Sequence, residues 1–141
     1  MIDKDLVRSK INAIKKYYGR LEPILKKDAR VIIDDYLLLH TLERLFQLIV
    51  DTALEINTHF IAELKLTVPE DYQNTFIVLG ENRIFPMEFM GKIAGSVGLR
   101  NLVVHKYGKV DEKRMVDDVK QNISQYLEYL KYVERYLEAH G

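Results

Sequence analysis

The fold is decided most clearly by residues 116–137, which run VDDVKQNISQYLEYLKYVERYL. Apolar side chains recur there at every third or fourth position without a miss: Val116, Val119, Ile123, Tyr126, Leu130, Val133 and Leu137. Side chains at this spacing lie on one face of an α-helix. The stretch therefore predicts an amphipathic helix that buries one face against other helices, and Asp111 is well placed to cap its start.

The same periodicity extends over the N-terminal half. An apolar seam with steps of four and three runs through residues 7–25. Pro23 lies inside it and predicts a kink or break, because its ring presses on the carbonyl four residues earlier. Asp28 can cap a restart. A second, long helix is predicted over residues 31–65, whose buried stripe steps by three and four.

Shorter helices are predicted after that. A turn at residues 67–70 places Pro69 at the first position of a short helix that ends at Gly80. Another helix begins near Pro86 and contains three glycines, which favour close helix contact over helix stability: Gly91, Gly95 and Gly98. The sum is an all-α fold, an up-and-down antiparallel bundle of about five helices that forms one domain over residues 1–141.

The charges balance overall and separate along the chain. Lys plus Arg and Asp plus Glu both total 21, so the formal net charge is zero. Residues 1–27 hold eight basic against three acidic residues, residues 28–81 three against ten, and residues 82–141 ten against eight. Two interpretations stay open: the segments neutralise each other in the fold, or they form a dipolar surface that holds RNA on one side and a basic partner on the other.

The composition also excludes some classes of site. There is no cysteine, which excludes a disulfide framework, a thiol nucleophile and a cysteine zinc site. Charges interrupt the N-terminal residues, unlike those of a signal peptide, and no apolar run approaches the roughly 20 residues that cross a bilayer. We expect a cytoplasmic protein with no membrane association.

Residues 100–107, RNLVVHKY, contain the candidate catalytic side chains. If they are helical, Arg100 and Tyr107 lie on one line two turns apart, while Asn101 and His105 lie one turn apart on an adjoining strip. Gly108 then ends the helix. Spacing alone leaves a solvated surface arginine and a hydrogen-bonded histidine as the more common arrangement.

These side chains are sufficient for chemistry on a phosphodiester without a metal. An imidazole can remove the proton of a ribose 2′-hydroxyl, which then attacks phosphorus, and a guanidinium can pair with the non-bridging oxygens. The products would be a 2′,3′-cyclic phosphate and a 5′-hydroxyl. A two-fold dimer would bring two Arg100 and two His105 side chains to one cleft. Lys106 and Lys109 can contact RNA phosphates, or simply keep the rim soluble.

The chain resembles HEPN-domain proteins of the HepT type, the toxin half of HepT–MntA toxin–antitoxin pairs. The family motif is Arg, four residues, His, one residue, Tyr, often with Asn after the Arg. It is complete here as Arg100, Asn101, His105 and Tyr107, and several flanking stretches are also similar: Leu42-Glu43-Arg44, Gly98-Leu99, Val103-Val104 and Val110-Asp111.

The resemblance implies the activity and the partners. We expect an all-α homodimer with the motif at its interface and a metal-independent endoribonuclease that needs no cofactor. The substrate would be tRNA or mRNA, cut with Arg100 and His105 as catalytic residues and Asn101 in support. A small MntA-type nucleotidyltransferase antitoxin would neutralise the toxin by adding AMP to Tyr107.

Two other functions stay open on the residues alone: a non-catalytic helical partner subunit of a nucleotidyltransferase, and a plain helical dimerisation module. His40 is predicted to lie in the core or an interface, whereas His59 and His140 are predicted to be exposed, and no histidine pattern indicates a metal site. Glu43 and Asp51 are eight residues apart. Either could orient Arg100 or His105, or be merely solvated on an outer face.

Overall fold

The chain folds into seven helices in a computed structural model that describes residues 1–106 and 110–140, and no strand occurs in that part of the chain. The helices are α1 (Lys4–Leu25), α2 (Ala29–Asp34), α3 (Tyr36–Glu63), α4 (Gln73–Glu81), α5 (Met87–His105), α6 (Glu112–Ile123) and α7 (Gln125–Ala139). The all-α prediction is confirmed, and the expected count of about five is too low.

Aspartates set the first two helix boundaries, one predicted and one not. α1 continues through Pro23 and ends two residues later at Leu25, so the proline lies in the last turn. Asp28 caps α2, as predicted, by accepting a hydrogen bond from the Arg30 N–H. The single helix predicted over residues 31–65 is wrong, because Asp35 has an extended backbone and its carboxylate caps a new helix at Tyr36.

Two further boundaries differ from the prediction. Pro69 is not the first residue of a helix, since α4 begins at Gln73, where the Asp71 carboxylate accepts a hydrogen bond from the Asn74 N–H. The final predicted helix is divided at Ser124 into α6 and α7. Asp111 caps α6 as predicted, accepting from the Arg114 N–H.

Contacts between the long helices establish their directions. The start of α1 lies against the end of α3, where the Asp3 N–H donates to His59 Nε2 at 3.0 Å. The end of α5 lies against the first half of α3, where Lys106 Nζ is 2.7 Å from Glu43 Oε2. α1 and α5 are therefore both antiparallel to α3.

The last helix completes the bundle. The Phe89 ring near the start of α5 contacts Tyr132, whereas Ser96 further along α5 contacts Tyr126 earlier in α7. α7 is therefore antiparallel to α5. The four long helices alternate in direction along the chain, which is the predicted up-and-down arrangement.

Buried tyrosines join the layers of the bundle. The Tyr129 hydroxyl donates to Asn57 Oδ1 at 2.6 Å, and Asn57 Nδ2 donates to Thr75 Oγ1 at 3.1 Å, which links α7, α3 and α4. Tyr126 and Tyr129 are fully buried. Burial raises the pKa of both phenols, and for Tyr126 the hydrogen bond with Ser96 opposes this rise.

The predicted role of the α5 glycines is wrong within this chain. A Cβ atom at Gly91, Gly95 or Gly98 would meet nothing within 4 Å, because all three residues lie on the exposed side of α5. The close helix contact is instead at Gly80, where a Cβ would lie 2.7 Å from Met87 Sδ. None of the helices described here is long and apolar enough to cross a membrane.

Candidate active site

The polar motif lies at the C-terminal end of α5. The helix ends at His105 because Lys106 adopts a left-handed conformation (φ 45°, ψ 52°), and the Lys106 N–H donates back to the Leu102 carbonyl at 2.8 Å. The helix thus ends before Gly108, the predicted stop. Asn101 and His105 are one turn apart, as predicted.

Residues 107–109 lie outside the described residues. The predicted AMP acceptor, Tyr107, and the predicted RNA contact, Lys109, belong to this stretch. The predicted line from Arg100 to Tyr107 assumed a continuous helix; α5 ends at His105, and the position of Tyr107 on that line lies outside the described residues.

One side of this helix end is buried and the other is open. Val103 is buried against the core, and Leu99 packs partly against it. Asn101 and His105 are exposed. The bundle therefore anchors the helix through its apolar side and leaves the carboxamide and the imidazole accessible from outside.

Arg100 is held by a carboxylate of the neighbouring helix. Its Nε donates to Asp51 Oδ1 at 2.8 Å and its Nη2 donates to Asp51 Oδ2 at 3.2 Å. Its Nη1 donates to Asn101 Oδ1 at 3.1 Å. The Arg100 side chain is 21% exposed and the Asp51 side chain 32%. Two parallel hydrogen bonds fix the plane of the guanidinium as well as its position.

The polar contacts continue along α3 toward its N-terminal half. Gln47 Nε2 donates to Asp51 Oδ2 at 3.5 Å, and Arg44 Nη1 donates to Gln47 Oε1 at 3.1 Å. Arg44, Gln47, Asp51, Arg100 and Asn101 thus form a connected polar strip across α3 and α5. The negative charge of Asp51 also contributes to the raised pKa of Tyr126, after the larger effect of burial.

A second carboxylate of α3 contacts the end of the motif. Glu43 is buried, and its Oε1 lies 3.1 Å from His40 Nδ1 while its Oε2 lies 2.7 Å from Lys106 Nζ. The ammonium approaches off the hydrogen-bonding direction, so this contact is an ion pair. Glu43 thereby ties α3 to the residue that follows His105.

A groove of about 790 Å³ opens beside Arg100 and Asn101, between α3, residues 70–73 and α5. Its wall carries four carboxylates, those of Asp51, Glu55, Glu70 and Asp71. Arg100 lines the same wall and pairs with Asp51. Glu55 is itself paired with Lys10 on α1.

A family model for HepT-like ribonucleases matches residues 14–133, most of the chain. The chain belongs to the HepT-like ribonuclease family. This confirms the family resemblance drawn from residues 100–107 and the predicted enzyme class.

Named relatives of the family span nearly the whole chain. The tRNA nuclease HepT of Aphanizomenon flos-aquae is 31% identical over 140 residues, covering 96% of this chain and 92% of that protein. The mRNA nuclease HepT of Shewanella oneidensis is 21% identical over 130 residues, covering 92% and 97%.

A solved structure shares the fold of this HepT-like chain. It is described as the tri-AMPylated Shewanella oneidensis HEPN toxin in complex with MNT antitoxin. The TM-score is 0.84 at 21% sequence identity, and the match covers 93% of this chain and 98% of that one. The likeness shows that the HepT-like chain has the HEPN toxin fold.

The other histidines lie away from the motif or serve structural contacts. His40 is half-buried and bonded to Glu43 rather than placed in the core. His59 is half-buried instead of exposed, since it accepts the Asp3 N–H, whereas His140 is exposed as predicted. Within residues 1–106 and 110–140, no group of three or more His, Cys, Asp or Glu side chains is arranged to hold a metal ion.

The roles of Glu43 and Asp51 stay open in the sequence, and the two residues differ in the structure. Glu43 is buried against the end of α5 and is not on a solvated outer face, whereas the Asp51 side chain is 32% exposed and pairs with Arg100 of α5. The available signal was their spacing of eight residues beside a stripe that includes Leu42, Leu45 and Ile49, since carboxylates at the edge of a buried stripe face the next helix.

Proposed function

We propose that this chain is the toxin of a toxin–antitoxin pair and cuts RNA as a metal-independent endoribonuclease. The observation that carries the proposal is the end of α5, which holds Arg100, Asn101 and His105 together on an accessible surface. The relatives named as tRNA and mRNA nucleases support an RNA substrate of one of these two kinds.

The chemistry needs one base, one acid and one stabilising cation. His105 takes the proton of a ribose 2′-hydroxyl, the 2′ oxygen forms a bond to phosphorus, and the bond from phosphorus to the 5′ oxygen breaks. The acid, a second group distinct from this His105, donates a proton to the leaving 5′ oxygen. The products are a 2′,3′-cyclic phosphate and a 5′-hydroxyl, so atoms and charges balance without an added cofactor.

Arg100 is suited to the cation role. A guanidinium has five N–H donors, and the contacts with Asp51 and Asn101 use three of them. Among the described residues this leaves one donor on each terminal nitrogen. Two such donors match two non-bridging phosphate oxygens as negative charge grows on them. Asn101 supports the arrangement by holding Nη1.

A second copy of the chain would supply the second acid. Gly91, Gly95 and Gly98 form an exposed face of α5, the glycine face, with four- and three-residue steps that continue to Asn101 and His105. Without side chains this face admits a close neighbour. A two-fold dimer packed on the glycine face brings two His105 side chains toward one cleft.

Exposed apolar residues at the same end of the bundle support this dimer. Tyr36 and Leu37 at the start of α3 are 73% and 75% exposed, and Val104 on α5 is 36% exposed. The Glu43–Lys106 contact places these two helix ends side by side. Covering such side chains by a second copy removes apolar surface from water.

The switch that we propose is AMP transfer to Tyr107 by an MntA-type nucleotidyltransferase antitoxin. The structural neighbour, an AMPylated HEPN toxin in complex with an MNT antitoxin, supports it. Like an RNA phosphate, the added phosphodiester is negatively charged. It would take the place of an RNA phosphate and pair with Arg100 of either copy.

Induced expression of the chain alone, followed by mapping of RNA ends, tests the nuclease. We expect wild type to arrest growth and produce cyclic phosphate ends, even in a purified reaction with EDTA. His105→Ala and Arg100→Ala should each lower the rate by a factor on the order of 10²–10⁴.

His140→Ala is the matched control, because His140 is exposed at the end of α7, and it should cut like wild type. Cleavage that requires magnesium, or an undiminished rate in His105→Ala, contradicts the mechanism. A wild-type chain that leaves RNA intact in these assays would favour the non-catalytic partner subunit instead.

A further inference from the structure

The fork between Arg100 and Asp51 does more than pair two surface charges. Both carboxylate oxygens accept from one guanidinium, and Oδ2 also accepts from Gln47 Nε2 at 3.5 Å. Arg100 belongs to α5 and Asp51 to the middle of α3, which has a buried stripe along its whole length. The carboxylate is therefore attached to a rigid part of the bundle.

We propose that Asp51 is a positioning residue that orients the guanidinium of Arg100 toward the scissile phosphate. The inference rests on the proposed ribonuclease function and assigns a role to a residue outside the family motif. Because Asp51 holds the Nε edge and Asn101 holds Nη1, the remaining donors point in a direction set before RNA binds. A preorganised donor needs no rearrangement when charge develops in the transition state.

The hydrogen bonds of Asp51 favour catalysis, whereas its negative charge weakens RNA binding. A carboxylate next to the arginine partly neutralises it, and a carboxylate in the wall of the groove repels a phosphodiester. A residue retained only to attract RNA would not be acidic. Asp51 therefore improves the orientation of Arg100 but weakens the attraction of RNA. Separate measurements of the cleavage rate constant and of RNA affinity distinguish the two effects.

Fold stability alone does not account for the pair. Ion pairs between partly exposed side chains contribute little to folding, because solvent screens them. The chain offers a comparison away from the groove, where Glu134 of α7 pairs with Lys15 of α1 at 3.0 Å and both side chains are partly exposed. Glu134 is thus a matched control for the loss of one negative charge in an ion pair between two helices.

The test measures single-turnover cleavage at saturating RNA for wild type, Asp51→Asn, Asp51→Glu and Glu134→Gln. We expect Asp51→Asn to lower the rate constant by a factor on the order of 10 to 100, because a misplaced catalytic group carries penalties of that size. Asp51→Glu keeps the charge and both acceptors, so it should recover part of the loss. Glu134→Gln should retain the wild-type rate constant, because Glu134 lies outside the groove.

RNA affinity is measured separately in a His105→Ala background, where the RNA stays intact. Asp51→Asn should bind RNA as tightly as the parent or several-fold more tightly, since a repulsive charge is gone. Thermal melting of each variant confirms that the bundle is folded. The NMR signal of the Arg100 Nε–H gives a readout that is independent of activity, and it should be distinct in wild type and lost in Asp51→Asn.

The outcomes separate the inference from the proposed function. Wild type that cuts RNA together with an equally fast Asp51→Asn overturns the positioning role alone. A loss in Asp51→Asn caused entirely by weaker RNA binding overturns it as well. Wild type that cuts no RNA contradicts the proposed function, and the positioning role with it.

Discussion

Lys106, the residue after α5, forms an ion pair with Glu43 of α3, and the carboxylate in this pair is buried. The ammonium belongs to the C-terminal cap residue of α5, whereas the carboxylate is buried within the bundle. The pair therefore joins the position of His105, one residue earlier, to the packing of α3.

Replacing Lys106 by Met should destabilise the protein by about 1–2 kcal/mol, because the Glu43 charge stays buried with His40 as its remaining contact. Urea unfolding measures the change. Lys113→Met is the control, since Lys113 pairs with Asp117 on the open surface of α6 and its loss should leave the midpoint nearly unchanged. Equal midpoints for both variants would contradict the importance of the buried carboxylate.

Alkaline pH should destabilise the fold through Tyr126 and Tyr129. Both phenols are fully buried and their pKa values are raised, so above pH of about 10 they ionise in the unfolded chain but stay neutral in the folded one. Unfolding then releases protons. The free energy of unfolding falls by about 1.4 kcal/mol per pH unit for each phenol between the two pKa values.

Urea unfolding between pH 8 and pH 11 checks this dependence. Tyr126→Phe removes one of the two fully buried phenols and should therefore clearly reduce the slope of the unfolding free energy against pH. Tyr72→Phe, at a tyrosine that is 63% exposed, should leave the slope as in wild type. The same slope in Tyr126→Phe and Tyr72→Phe would show that burial of Tyr126 is not the cause.

The proposed dimer predicts that a large side chain on the glycine face prevents dimerisation. Gly95→Leu should convert a dimer at micromolar concentration into a monomer, because the leucine occupies the space that the second copy needs. Gly19→Leu on α1 is the control, since Gly19 also has open space around its Cβ position and should leave the dimer intact. Light scattering decides, and a wild-type monomer or a dimeric Gly95→Leu would contradict this interface.

The proposed switch predicts a covalent change at one tyrosine. Co-expression with the cognate nucleotidyltransferase should add whole AMP units to wild type and none to Tyr107→Phe, as measured by intact mass. Tyr36→Phe is the control and should still be modified, because Tyr36 is highly exposed near the end of α5 but is not the proposed acceptor. Neutralisation of an unmodified wild-type chain would assign inhibition to complex formation and not to Tyr107.

The helical class and the direction of the bundle could be predicted from the sequence, because apolar spacing reports helix faces directly. The steps from Val116 to Leu137 and the caps at Asp28 and Asp111 all match the fold. The helix break at Asp35 could not be predicted, because an aspartate inside an apolar pattern is either a surface residue of one continuous helix or the N-cap of a new one. Only the backbone conformation at Asp35 distinguishes them.

The candidate site was predicted in part. The residues of the motif that are described lie at the end of α5, and Asn101 and His105 keep their helical spacing. The partners of Arg100 and Lys106 could not be assigned, since Asp51 and Glu43 lie about fifty and sixty residues away along the chain. Periodicity orders residues within one helix, but it does not fix the register between two helices.

The left-handed backbone at Lys106 has a consequence for protein engineering. Glycine adopts that conformation most easily, so substitution by glycine would be the usual choice for a better helix end. Glycine, however, brings no ammonium to the Glu43 carboxylate. The best backbone and the best charge at this position require different residues, and a stabilised variant must replace Glu43 together with Lys106.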